Sequence, residues 1–423
     1  MNNPNNNPPS SPKPLTFIGI DWADQLHAFH VVDTHKNHSP GTFIQNPAVI
    51  EERIVTWRKQ FPDTTLAVAI EQSKGALVTA LLKYDDVVIY PINPAALASY
   101  RKSFRHGGGK NDPTDAMLLA QYLQHYHQQL RPLREDSSIT RELAALAVDR
   151  RRLVDQRVDL ANQLQALLKQ YFPAILELKP AKVYADFMLR ILLKYPTLTH
   201  IQKASTKSLT ACFKGTSSRR IPDRIQLLRN AIPLSEDDVL LRTSSQKMTT
   251  LCRLIEVLND AVDACDKRIK ELVQQHNDYN IVAALPGASS VTQCRIIAAL
   301  GDDRSRFKTA TELQASAGIA PLTTQSGKQR TVTCRWACNK FLKQTFHEFA
   351  GQSITESKWA EAYYRQQIQR GKKPQAARRS LAFKWIRIIH RCWQARTPYN
   401  EQHYIERLKQ TQSPLYNLIQ QNA

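Results

Sequence analysis

Two kinds of hydrophobic spacing divide the chain. From Leu15, LTFIGIDWADQLHAFHVVD alternates as two β-rich runs with a short link, the pattern of a hairpin. LAVAIE (66–71) and VVIYPINP (87–94) are two further buried-strand patterns. Around and between them EERIVTWRKQ (51–60) and KGALVTALLK (74–83) carry helical spacing. Strands alternating with helices predict an α/β sheet domain over residues 15–130.

Residues 131–280 change to the helical period. In RELAALAVDRRRLVDQRVDLANQLQALLKQY, apolar residues recur at Leu143, Leu146, Leu153, Leu160, Leu164, Leu167 and Tyr171. A second stretch is more regular: Leu251, Ile255, Leu258, Val262, Cys265, Ile269 and Leu272 alternate steps of four and three, a coiled-coil seam. Two helices of one chain packed together, or a stalk between two copies, would satisfy it equally. An insertion at 180–245, mostly helical and with a basic loop at Lys214, Arg219 and Arg220, separates the two stretches. Residues 281–408 read as mostly helical, with one loop at QSGKQR (325–330). Residues 1–14 read as a disordered tail, and 409–423 as a polar amphipathic one. The expected class is therefore α/β plus all-α.

Charge adds a partner to this outline. The chain of 423 residues has 58 Lys and Arg against 37 Asp and Glu, a formal net charge of +21. Residues 281–400 hold 20 of the bases and 6 of the acids, a net of +14. Two thirds of the excess in under a third of the chain points to nucleic acid. No run approaches the roughly 20 apolar residues of a membrane span. The N-terminus lacks the apolar core of a signal peptide. Seven scattered Cys, without a zinc spacing, suit reduced thiols in a cytoplasmic protein.

Acidic residues supply the first candidate chemistry. Asp21 follows the run TFIGI and Glu71 follows LAVAI, so each carboxylate stands at the C-terminal end of a buried strand. Such rims are where α/β folds gather ligands. In KNDPTDAMLLAQYL, Asp112 and Asp115 project from one face of a helix start. Four carboxylates could converge on hard divalent cations such as Mg²⁺, two of which can activate an attacking oxygen and stabilise a leaving one. Capping also explains the helix pair, with Asp112 at the N-cap, Pro113 at N1 and Asp115 at N3. The preceding YRKSFRHGGGK, with Lys110, is a basic Gly-rich loop suited to touching a nucleic-acid strand.

The second candidate is a hydroxyl. Ser326 lies in a Ser-Gly-Lys loop, where Lys328 and Arg330 could balance a phosphoryl group. Spacing alone does not separate that nucleophile from a surface turn. ALPGASSVTQCRIIAALGD (284–302) reads as turn, helix, turn, either a phosphate grip or a plain helix connection. Near the end, Leu381, Trp385, Ile388 and Cys392 mark the core side of a helix. Arg378, Arg379, Lys384, Arg387 and Arg391 are left to contact nucleic-acid phosphates.

Taken in order, these segments form a set. IGIDWA, AIEQSKGAL and KNDPTDAMLLAQYL are followed by LPGASSVTQCRIIAALGD, then F-x-x-A-x-E-L-x-A-x-A-G-I-A-P and Q-S-G-K. W-x-x-A-Y-Y from Trp359 to Tyr364, RGKKPQAARRSLAFKWIRIIHRCW and Y-N-E-x-x-Y close the series. From about residue 15 to 408 the chain resembles the DEDD-type insertion-sequence transposases of the insertion-sequence one-ten family. That resemblance implies a RuvC-like, ribonuclease-H-type N-terminal domain with Asp21, Glu71, Asp112 and Asp115 binding Mg²⁺. It implies a C-terminal transposase domain whose Ser326 attacks DNA to form a phosphoserine link. It further implies a dimer of dimers with composite active sites, and a noncoding bridge RNA that pairs with target and donor DNA. Two departures stand out. Gln325 occupies a position where many relatives have a further Ser, and Ser289 one where relatives often have Gly. A RuvC-type junction nuclease, or a non-catalytic nucleic-acid-binding protein, would share parts of the pattern.

Overall fold

The computed structural model describes residues 13–104, 112–180, 182–327 and 329–421. The first tail, Lys110 and Lys328 lie wholly or mostly outside them. The chain separates into two units, Met1–Glu135 and Asp136–Ala423.

The first unit is built on one mixed sheet. Strands β1 (Leu15–Asp21), β2 (Leu26–Val32) and β3 (His38–Ile44) form an antiparallel meander, while β4 (Thr65–Ile70) and β5 (Val87–Pro91) add in parallel beyond β1. The spatial order is β3-β2-β1-β4-β5. The expected hairpin and both later strands are present. β3 is an addition, because HSPGTFI is exposed at all but two positions and lacks a run of apolar residues. Helices α1 (Pro47–Gln60) and α2 (Ala76–Leu81) cover one face, where Trp57, Ile54, Leu77 and Leu81 meet Ile18, Ile20, Val68 and Ile70. The other face carries α3 (Pro94–Phe104) and α4 (Asp112–Tyr126), with Leu97, Leu118, Leu119 and Leu123 packed on Ala67 and Ala69.

Small residues on that second face set how close α4 comes. A Cβ on Gly19 would stand 2.0 Å from the Ala116 carbonyl oxygen and 2.4 Å from the Ala120 nitrogen. The backbones of β1 and α4 therefore touch at a point that any side chain would occupy.

In the second unit, α5 (Ser138–Tyr171) and α10 (Asp238–Gln275) are the two long helices. Glu142 pairs with Arg268, Arg150 with Asp266, and Arg157 with Asn259, so the helices run antiparallel. The seam read from the sequence is thus filled by a helix of the same chain. Leu251, Ile255, Val262, Ile269 and Leu272 are buried along it. Each end of the pair enters a different core. One end joins the insertion, where α6 (Asp186–Lys194), α7 (Leu198–Lys203), α8 (Thr206–Cys212) and α9 (Ile221–Asn230) gather around Phe172 and Phe213. The other joins the C-terminal helices, which begin with α11 (Tyr279–Ala283), α12 (Ser290–Leu300) and α13 (Ala310–Ser316). Then come α14 (Lys340–Glu356), α15 (Lys358–Gln369), α16 (Pro374–Ala395), α17 (Glu401–Gln410) and α18 (Pro414–Gln421). Trp385 lies at its centre, edge-on to Phe349 and tilted against Trp359. Between α13 and α14 the expected loop is a β-hairpin of β6 (Leu322–Ser326) and β7 (Gln329–Thr333). Among the described residues, no helix is long and apolar enough to cross a membrane.

Two substitutions test this packing. Gly19→Val should destabilise the first unit by about 3 kcal/mol or more, since backbone atoms cannot yield to overpacking as a side chain does. Tyr399→Phe should cost about 1–3 kcal/mol, because the fully buried Trp359 Nε1–H now donates to the Tyr399 hydroxyl at 2.7 Å and would lose its acceptor. Chemical denaturation of the purified protein, followed by circular dichroism and tryptophan fluorescence, reads both.

Candidate active site

The acidic residues occupy one end of the sheet. β1 and β4 are in register with Ile20 opposite Ile70, which puts Asp21 and Glu71 side by side at adjacent parallel strand ends. Ile18 and Ile20 face α1 and α2, so alternation turns Asp21 to the face that Gly19 presents to α4. The same alternation, carried one residue past β4, turns Glu71 to the side of Ala67 and Ala69. Asp115 is the residue before Ala116, the one that touches Gly19, and lies in the first turn of α4. Three elements thus bring their acids towards one rim.

The side chains differ in surroundings. Asp115 is 2% exposed, and its Oδ1 accepts from the Arg101 guanidinium at 2.5 Å. Asp112 and Glu71 are exposed, and Asp21 is half-buried. Asp112 and Asp115 both lie in the first described turn of α4. Among the described residues, no three His, Cys, Asp or Glu side chains stand close enough together to hold a metal ion. The four acids are oxygen donors, which fit a hard cation such as Mg²⁺ rather than a thiolate- or imidazole-seeking one. In this arrangement Arg101 provides the charge that Asp115 needs when buried. Sequence reasoning passed over Arg101, because no local spacing links a residue of α3 to the next helix.

The hydroxyl candidate stands on the hairpin in the second unit. Ser326 ends β6 opposite Gln329, and Arg330 pairs with Gln325. Every described residue of both strands is exposed. Gly327 follows in the left-handed region at φ +56° with open space around it. The Ser326 side chain is therefore accessible on a projecting ribbon. The Pro-Gly turn is of a different kind. Ser289 caps α12 by accepting from the Thr292 N–H, and Thr292 donates to Gln352 at 2.8 Å. A Cβ on Gly287 would stand 2.8 Å from the Gln352 carbonyl oxygen. This turn is packed against α14, which is the plain helix connection.

The basic residues of α16 do not form one row. Arg378 lies beside Gly351 of α14, and Arg379 borders a cavity at the base of the hairpin with Arg335 and Phe383. Lys384 and Arg387 line a separate cavity against α17. Leu381, Trp385 and Cys392 are buried as their spacing predicts, and Ile388 is half-buried.

A mixed five-stranded sheet in this order, with acids at its central strand ends and at the start of the covering helix, defines a ribonuclease-H-like domain of the DEDD nuclease type. Residues 18–173 match the DEDD transposase family, and residues 279–365 match the family described as transposase IS116/IS110/IS902. The chain is 30% identical over 408 residues to the IS117 mini-circle putative transposase of Streptomyces coelicolor, covering 91% of this chain and 95% of that one. It is 25% identical over 320 residues to the 44.8 kDa protein of insertion element IS116 from Streptomyces clavuligerus, covering 74% and 78%. Against the 42 kDa protein of IS900 from Mycobacterium paratuberculosis the identity is 24% over 274 residues, covering 63% and 66%. This chain belongs to the IS110 family of insertion-sequence transposases. DNA is accordingly its partner, and its DEDD domain implies a divalent metal ion.

Because Ser326 is exposed and its neighbour Gly327 has no atom near it, Ser326→Ala should leave stability within about 0.5 kcal/mol of the parent. Thermal unfolding of the two proteins side by side checks this and qualifies the variant for activity assays.

Proposed function

We propose that this transposase cuts and rejoins DNA with Asp21, Glu71, Asp112 and Asp115 as Mg²⁺ ligands and Ser326 as the nucleophile. The carrying observation is the placement of Asp21 and Glu71 at adjacent parallel strand ends, on the side covered by the Asp115 turn of α4. A divalent ion held there would supply positive charge to a phosphodiester undergoing displacement. Ser326 Oγ forms a bond to phosphorus, the bond from phosphorus to one sugar oxygen breaks, and that oxygen leaves with a proton. The energy of the broken linkage is kept in the phosphoserine, so the strand can be rejoined to a new end without a nucleotide cofactor. Arg330 and Lys328 flank the serine in sequence and would offset the phosphoryl charge.

The same reading extends to partners. A noncoding bridge RNA would pair with target and donor DNA, leaving Lys110, Arg378, Arg379, Lys384 and Arg387 to hold backbones irrespective of sequence. A dimer of dimers would join one copy's acids to another copy's serine, in the bacterial cytoplasm at the nucleoid. The exposed hairpin supports this, since it carries Ser326 on a ribbon with both strands open to a partner.

Two variants test the chemistry. Asp21→Asn should lower strand cleavage in Mg²⁺ roughly 100-fold or more, the scale of losing one group that stabilises transition-state charge. Ser326→Ala should abolish the protein–DNA adduct, seen as a labelled band surviving denaturing electrophoresis. Cleavage by Ser326→Ala at the parental rate, with no adduct in the parent, would instead mean a nuclease in which the acids act alone. Full activity in Asp21→Asn would remove the acidic site from the mechanism.

A further inference from the structure

A cavity between α16 and α17 of the second unit gathers several basic side chains. It has a volume of about 530 Å³. Lys384, Arg387 and Arg391 enter it from α16, and His403 and Arg407 from α17. The first three are spaced three and four apart, so they share one helix face. Neither Asp nor Glu is among its lining residues. Ion pairs occupy many other arginines of the chain, including Arg150, Arg151, Arg268, Arg295, Arg304 and Arg306. Among the described residues, no ion pair engages Lys384, Arg387, Arg391 or Arg407, although Glu401 and Glu406 lie on the same helix as Arg407. Glu401 is committed elsewhere, accepting from Ser357 and Tyr399.

The floor of the cavity has a different character. Ile388, Cys392, Pro398, Tyr399 and Tyr404 line it. Tyr404 is fixed there by contact with the Trp359 ring at 4.9 Å. Lys384 lies over the Tyr363 ring at 4.7 Å, with its ammonium partly withdrawn from water. Burial, with the neighbouring Arg387, lowers its pKa. Holding these like charges together without acids costs stability, and an anion bound among them would relieve it.

From this geometry we infer that the α16–α17 cavity seats an unpaired nucleotide of a single nucleic-acid strand. Its phosphates would lie on Arg387, Arg391 and Arg407, and its base or sugar on the apolar floor. Duplex DNA is a rod whose bases are already stacked, and it offers phosphates to a convex or grooved face. A cavity with a cationic rim and an apolar floor fits an unstacked residue, as in other single-strand sites. The inference rests on the nucleic-acid reading of α16 given above, but not on the serine or the acids. DNA and RNA share the chemistry it recognises.

Fluorescence anisotropy of the full-length protein with labelled 15-mers of dU and of U and with a 15-base-pair DNA duplex, across a salt series, tests it. Arg391→Ala/Arg407→Ala alters two exposed side chains. The double variant should bind at least one of the two strands about 10-fold or more weakly. The slope of log affinity against log salt should fall by about 1.4, or 0.7 for each phosphate no longer neutralised. Lys169→Ala/Lys267→Ala removes the same charge from the α5–α10 pair and should change binding less than twofold. The strand whose affinity falls further identifies the sugar, and equal falls mean that the 2′-hydroxyl is not read. Parental binding by the Arg391/Arg407 variant, an equal loss in the Lys169/Lys267 control, or a loss confined to duplex DNA would each overturn the proposal. Adduct formation at Ser326 is a separate readout, so failure of the cavity and failure of the serine chemistry can be told apart.

Discussion

The contact between Gly19 and the backbone of α4 governs the geometry of the first unit. With no side chain on Gly19, and only methyl groups on Ala67 and Ala69, α4 settles directly onto the centre of the sheet. Asp115 precedes the contact residue Ala116, so the same approach carries a carboxylate into the interior. A buried charge is tolerated only when paired, and Arg101 of α3 supplies the partner. One small residue in the third position from the end of β1 therefore decides where α4 lies, how deep Asp115 sits, and which face of the strand Asp21 shares with it.

Architecture in the second unit follows a different constraint. The ends of α5 and α10 enter two separate cores, and between these Ala161 and Val262 are buried where the helices meet. Between those ends polar pairs such as Arg150 with Asp266 and Arg157 with Asn259 hold the helices in register. Such half-exposed pairs contribute little each, so hydrophobic burial must provide most of the stabilisation. The pair consequently serves as a beam connecting the insertion to the C-terminal helices. Leu254 and Val257, which flank the seam residues, remain exposed on its side.

Much of this was legible in the chain because burial leaves a period. β1, β2, β4 and β5 are written in alternation or apolar runs, and α5, α10 and α16 in helical stripes. β3 escaped because an edge strand with six of seven positions at least partly exposed has no such period. The β6–β7 hairpin escaped for the same reason, since LTTQS and QRTVT bury nothing and their pairing rests on backbone hydrogen bonds. The seam of α10 was readable, but its partner was not, because a heptad specifies an apolar stripe and not the chain that fills it. The acids were found from their positions at strand ends. Their approach to one another depends on parallel register and on Gly19, neither of which local spacing encodes. Arg378, Arg379 and Lys384 were legible as charges but not as separate groups, since each direction depends on the neighbouring helix.

Opposed charge requirements explain why the bases are gathered so unevenly. A rim of carboxylates repels phosphates, and a metal ion offsets that repulsion only locally. A transposase that binds DNA therefore needs cations beyond those that pair with its own acids. The excess of 14 positive charges in residues 281–400 meets that need. It is sustained because the C-terminal core is made by Trp359, Trp385, Phe346 and Phe349, which need no charged residue to hold them. Lys and Arg are thereby left at the surface, and in the α16–α17 cavity they meet without a counter-ion of their own. Neutral replacements there would be expected to relieve the fold rather than harm it, so the presence of the cluster argues for an anion supplied from outside the chain.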